Sequence, residues 1–143
     1  MDLAWGLTVL VLGSIAWLGQ MTAWLAPRTA VRLSLMEAEA DVERSYWADI
    51  RGEAIWDTLI LWTLPLAGLL LVLDEPGWAI FGLVGGGAFL YFAGRGIVTR
   101  RTMQAEGLRV GAPQNVRMGY VFLLVWGVVA LVTSAVAATA LMP

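Results

Sequence analysis

The chain contains no cysteine and no histidine, and all nine of its basic residues are arginine. Without thiols there is neither a disulfide framework nor a thiolate metal ligand. Without imidazole there is no histidine-ligated haem and no general base that titrates near neutrality unperturbed. Any chemistry must use carboxylates, arginine, tyrosine, serine or threonine, and no metal site is expected. Charge is also scarce, at 14% of 143 residues against 59% hydrophobic, with a mean hydropathy of +0.76. That balance excludes an ordinary soluble domain and points to an integral membrane protein. A phosphate-binding loop is missing too, because Gly85, Gly86 and Gly87 sit in an apolar run with no Lys-Ser or Lys-Thr after them. A basic stretch beside an apolar segment is all that could attract a nucleic acid, so no nucleic-acid partner is expected.

What the chain does have is four long apolar segments, and a helix needs about 20 such residues to cross the hydrocarbon layer. The expected fold is all-α and integral to the membrane: a single four-helix transmembrane domain over 1–143, with helices near 3–26, 36–73, 78–98 and 118–142. The first helix should be retained rather than cleaved, since MDLAWG places no positive charge ahead of an apolar run too long for a signal peptide. Pro27 and Arg28 end it. From Met36 to Pro65 the chain is rich in Ala, Glu, Met and Leu, which predicts one continuous second helix extended into the cytoplasm. Pro65 should kink that helix, with Thr63 placed to repair the freed backbone. Gln20 should knit neighbouring helices together. Asp74-Glu75-Pro76-Gly77 reads as a tight turn, making the second and third helices antiparallel neighbours. Gly82 and Gly86 form a flat strip on the third helix that would accept either a ridge of Ala130, Ser134 and Ala138 on the fourth or a second subunit.

The arginines fall in two clusters, Arg28 to Arg51 and Arg95 to Arg117. With four crossings both clusters share a side, and the positive-inside bias puts them in the cytoplasm of a plasma (inner) membrane with both termini outside. Each basic residue there attracts anionic lipid by about 1 kcal/mol, so such lipids are expected partners. Asp49, Glu53 and Asp57 lie one helical turn apart at the cytoplasmic end of the second helix. Like charges at that spacing repel by a few tenths of a kcal/mol, and more when buried, so the row needs a cation. Arg95 approaches the same face and is the expected partner of Asp57. Two readings follow for Glu53, Asp57, Arg95 and Arg117: a neutralising ion pair, or a set held ready for an anionic ligand.

Asp41-Val42-Glu43-Arg44, then Glu53, then Gly94-Arg95, then Arg117 with Tyr120, form a layout that resembles the membrane-associated eicosanoid and glutathione metabolism family (MAPEG). The resemblance implies trimers of four-helix subunits. It also implies glutathione as the one small molecule bound, among Glu53, Arg95 and Arg117, with Tyr120 as the candidate catalytic group bonding the reacting atom. The chain departs from the family pattern at Asp49 and Ile50, where an Arg and an Asn would stand, and in helix three, which lacks the His and Tyr that follow Gly-Arg in that family. Three function classes stay open. One is a non-catalytic scaffold or accessory subunit that docks a protein partner through Glu39, Glu43 and Glu53. Another is a MAPEG-like glutathione-binding transferase or related anionic-ligand enzyme. The third is a small transporter, for which only Asp57 and Arg95 offer ionisable groups near the membrane interior. A homo-oligomer is expected from the Gly and Ala content of helices three and four.

Overall fold

A computed structural model describes residues 2–142. Every regular element among them is helical: α1 (Asp2–Leu25), the short α2 (Pro27–Arg32), α3 (Arg44–Ile60), α4 (Thr63–Val72), α5 (Trp78–Ala105) and α6 (Pro113–Leu141). Four stretches are long and apolar enough to cross a membrane: Leu3–Leu25, Arg44–Val72, Trp78–Ala105 and Pro113–Leu141. In the bundle α1 packs on α3 and α4, α4 packs on α5, and α5 packs on α6, whereas α1 and α6 touch only lightly. That open seam positions the site described below.

Helices α3 and α4 are one crossing broken at Leu61 and Trp62. Pro65 cannot donate to the Leu61 carbonyl and its ring crowds that oxygen, which opens the helix one turn earlier. The Thr63 hydroxyl donates to the Ile60 carbonyl at 2.8 Å, recovering one of the freed acceptors. The proline ring also has a seat. Gly13 of α1 lies so close that an added Cβ would come within 2.9 Å of Pro65 Cδ.

The glycines of α5 serve two neighbours at once. A Cβ on Gly85 would fall 2.5 Å from the Leu64 amide nitrogen, so this residue lets α5 and the backbone of α4 come together. Gly82 faces Ala137 and Thr133, and Gly86 faces Ser134 and Ala130, all on α6. The strip therefore pairs within the chain, and the ridge that fills it uses Ala137 rather than Ala138.

Three helix boundaries differ from the sequence expectation. The second crossing begins at Arg44 rather than Met36, so no helix extends through Met36–Glu43; the only helical piece there is a single 3-10 turn at Glu39–Asp41. Helix propensity is worth only tenths of a kcal/mol per residue, and the extended form buries Met36 and Val42. It also pairs Val42 with Val110 in an antiparallel bridge and lets the Glu43 amide donate to the Arg109 carbonyl at 2.9 Å. Helix α5 runs on to Ala105 rather than 98, stopping where Gly107 takes a left-handed φ of 76° and the Leu108 amide caps the Met103 carbonyl. Helix α6 starts at Pro113 rather than 118, with proline in the first turn where its missing N–H costs nothing.

The two arginine-bearing connections meet at one end of the bundle. Besides the Val42–Val110 bridge, Arg109 Nε pairs with Glu43 Oε1 at 3.2 Å and Arg109 Nη1 donates to the Ala40 carbonyl at 3.0 Å. Together Met36–Glu43 and Glu106–Ala112 form a cap over that end.

Candidate functional site: an amphipathic cleft between the first and last helices

At mid-bundle the indole Nε1 of Trp126 on α6 donates to the Leu12 carbonyl of α1 at 2.9 Å. Between this cross-link and the cap the two helices part, leaving a cavity of about 190 Å³. Small residues make the space, since a Cβ on Gly19 or on Gly119 would meet nothing within 4 Å. Towards Trp126 the walls are apolar, from Ala16, Phe92, Leu123 and Phe122. Towards the cap they become polar, with Gln20, Glu37, Tyr46, Glu53, Arg100 and Asn115. At the rim Ile15, Met118 and Phe122 are exposed along the side of the bundle. The space has a greasy end, a hydrogen-bonding end and a lateral mouth.

Tyr46, in the first turns of α3, dominates the polar end. It is among the largest fully buried side chains, 1% exposed, yet its hydroxyl has no hydrogen-bond partner. A buried hydroxyl left unpaired costs about 1–3 kcal/mol, so a group normally absent from the bare chain should satisfy it. The Arg100 guanidinium lies 5.8 Å over the Tyr46 ring centroid and Nη1 donates to the Gly96 carbonyl at 3.0 Å, but Nε is buried and unpaired. Two unused donors thus meet in one cavity.

Glu37 closes the cap side. Its carboxylate accepts from Asn115 Nδ2 at 3.4 Å, and burial holds its pKa above the ordinary carboxylate value, against the opposing pull of that hydrogen bond. The carboxylate occupies the place a side chain at position 111 would take; Gly111, with φ at 132°, is the residue that fits both the backbone and the contact.

The sequence candidates are divided among different places. Glu53 lines the cavity, and it also faces a groove on the other side of α3 that it shares with Asp49, Asp57 and Arg95. Arg95 does not pair with Asp57. It bridges Asp49 Oδ1 at 2.5 Å and Glu53 Oε1 at 2.7 Å, because those carboxylates sit one and two turns nearer the end where Arg95 leaves the bilayer-length part of α5. Asp57, 2% exposed, keeps Oδ2 unpaired. Arg117 is exposed and lines neither space. Tyr120 points away from the cavity, its hydroxyl donating to Gln104 Oε1 at 2.9 Å while Arg101 lies 5.7 Å over its ring. Gln20 lines the cavity rather than bonding a neighbouring helix. Tyr46, Arg100 and Asn115 escaped sequence reasoning because they come from three elements with no shared spacing. The one available signal was Gln20, a lone amide in the inner half of an apolar helix.

No family model, curated protein or solved structure matches this chain. Fold and cleft define a class: an all-helical chain with four segments able to cross a membrane and an amphipathic cavity at one end of the bundle.

Proposed function

We propose that the protein is a multi-pass inner-membrane protein that takes an amphipathic ligand from the bilayer into the cleft between α1 and α6. The ligand's apolar body packs against Phe92, Phe122, Leu123 and Trp126, and its headgroup presents an acceptor to Tyr46 and Arg100. The observation that carries this reading is the Tyr46 hydroxyl, buried without a partner at the polar end of an otherwise greasy cavity. Pockets of this make-up, mostly apolar with a few converging polar groups, are the usual form of a small-molecule site. In the membrane the arginine-bearing cap faces the cytoplasm, as the positive-inside bias favours, and both termini lie outside.

This reading keeps one part of the MAPEG resemblance, an arginine-lined site for an anionic or acceptor-bearing ligand near the cytoplasmic face, but moves it to Arg100 and Tyr46. Within one chain Arg95 is engaged by two carboxylates and Tyr120 by Gln104, so a glutathione site drawing on Glu53, Arg95, Arg117 and Tyr120 would need those contacts to open. For the scaffold reading, two of the three docking acids already hold partners within the chain, Glu43 with Arg109 and Glu53 with Arg95. The test is extraction and mass spectrometry of amphipaths that co-purify with the protein in mild detergent. Wild type should carry one in near-stoichiometric amount. Gly119→Leu, whose new side chain enters open cavity space, should lose it while keeping its helical content. Equal occupancy in both proteins, or none in wild type, would remove the proposal.

A further inference from the structure

The second concave site lies between α3 and α5, where Asp49, Glu53, Asp57 and Arg95 meet Trp56 and Tyr91. Its charge does not balance. Three carboxylates, Asp49, Glu53 and Asp57, face a single guanidinium, and Arg95 is committed to the first two. Asp57 is left over, 2% exposed with Oδ2 unpaired, in a stretch apolar enough to lie in a bilayer. A bare carboxylate there is expensive, so Asp57 is neutralised either by a proton or by a positive partner that displaces it.

The rest of the groove says which kind. A hard metal cation asks for six or more oxygen ligands, and no group of three or more metal-binding side chains exists among the described residues. Apart from Arg95 and the two carboxylates it holds, the groove's walls are aromatic and small. Trp56 and Tyr91 are 58% and 61% exposed at the groove's edge, and a Cβ on Gly52 would meet nothing within 4 Å. One spare carboxylate in a groove edged by two aromatic side chains suits an onium ion, which needs a single counter-ion and gains from ring quadrupoles. We infer that the groove between α3 and α5 binds a lipophilic organic cation, an alkylated ammonium or comparable onium, with Asp57 as its counter-ion and Trp56 and Tyr91 against its substituents. The groove and the α1–α6 cleft share Glu53 alone, and neither Asp57 nor the two aromatic residues line the cleft, so this inference stands or falls independently of the ligand proposed there.

The probe is radiolabelled tetraphenylphosphonium, measured by equilibrium binding to the full chain in lipid nanodiscs, with empty nanodiscs subtracted. Saturable binding is expected, displaced by unlabelled tetraphenylphosphonium and not by neutral triphenylphosphine oxide. Asp57→Asn should weaken it at least tenfold, and Trp56→Ala and Tyr91→Ala severalfold each. Gly119→Leu in the other cavity should leave it unchanged. Should Asp57→Asn fail to fold, Gly52→Leu decides, because it fills the groove without altering charge and should abolish binding. Absence of saturable binding by wild type, displacement by the neutral analogue, or affinity within twofold of wild type in Asp57→Asn or, where that variant is unfolded, in Gly52→Leu would overturn the inference.

Discussion

Replacing Tyr46 by Phe separates the cost of the unpaired hydroxyl from the use made of it. In the ligand-free chain the hydroxyl is 1% exposed and no protein group bonds it, so its desolvation goes uncompensated by the fold at a cost of up to about 1–3 kcal/mol. Phenylalanine keeps the ring, and with it the contact to the Arg100 guanidinium and the packing with Val42, Val110 and Val116. Tyr46→Phe should therefore stabilise the delipidated protein by about 1 kcal/mol, the low end of that range, which for a chain of this size raises the melting midpoint by about 2–4 °C. The same change should weaken the bound amphipath about tenfold, the worth of one hydrogen bond in a dry site. Thermal melting followed by circular dichroism, with and without the co-purified ligand added back, reads both numbers. A fall in the ligand-free midpoint would refute the reasoning, because it would mean the hydroxyl already has a partner in the bare protein.

Three further outcomes follow from the packing and charge. Arg95→Gln leaves Asp49 and Glu53 facing Asp57 without a cation; breaking a buried pair costs about 3–5 kcal/mol, and with Arg95 27% and Asp49 35% exposed a loss of about 2 kcal/mol is expected, of which Glu53→Gln in the same chain should restore part, as denaturation midpoints will show. Gly85→Ala drives a methyl into the backbone at Leu64 and should cost about 2–3 kcal/mol or prevent folding, whereas Gly87→Ala, with open space around it, should be neutral or stabilising by up to about 1 kcal/mol; similar melting points for the two would contradict the α4–α5 contact. For Glu37, whose folded pKa is raised from 4.5, the unfolded chain releases its proton first as pH rises, so stability falls from about pH 4.5 upward until the folded group ionises as well. Glu37→Gln should flatten that part of the melting-versus-pH curve, and an unchanged slope would argue that Glu37 is not buried beside Asn115.

How much of this was legible in the sequence differs from element to element. The four apolar stretches announce themselves because a bilayer-length run of uncharged residues has few other uses. The kink at Pro65 was readable for the same kind of reason, since a missing N–H is a local fact. The cap was not. Met36–Glu43 has the composition of a helix, and only the distant residues Arg109 and Val110 make the extended form better. The acidic row was legible by spacing, yet which carboxylate meets Arg95 depends on the rotation of α5 against α3, which Gly85 and Gly86 set by letting α4 and α6 approach. The cleft was the least visible. Its polar groups lie on α1, α3, α5, α6 and the cap, and no periodicity within a single helix relates them.

The most direct measurement is a density map of the chain in lipid nanodiscs at a resolution that separates lipid tails from side chains. An elongated feature should fill the cleft between α1 and α6 below the Trp126–Leu12 hydrogen bond, with its polar end within hydrogen-bonding distance of Tyr46 Oη and Arg100 Nε. A cleft closed by contact of α1 with α6, or open and empty with Tyr46 bonded to a protein group, would contradict the account.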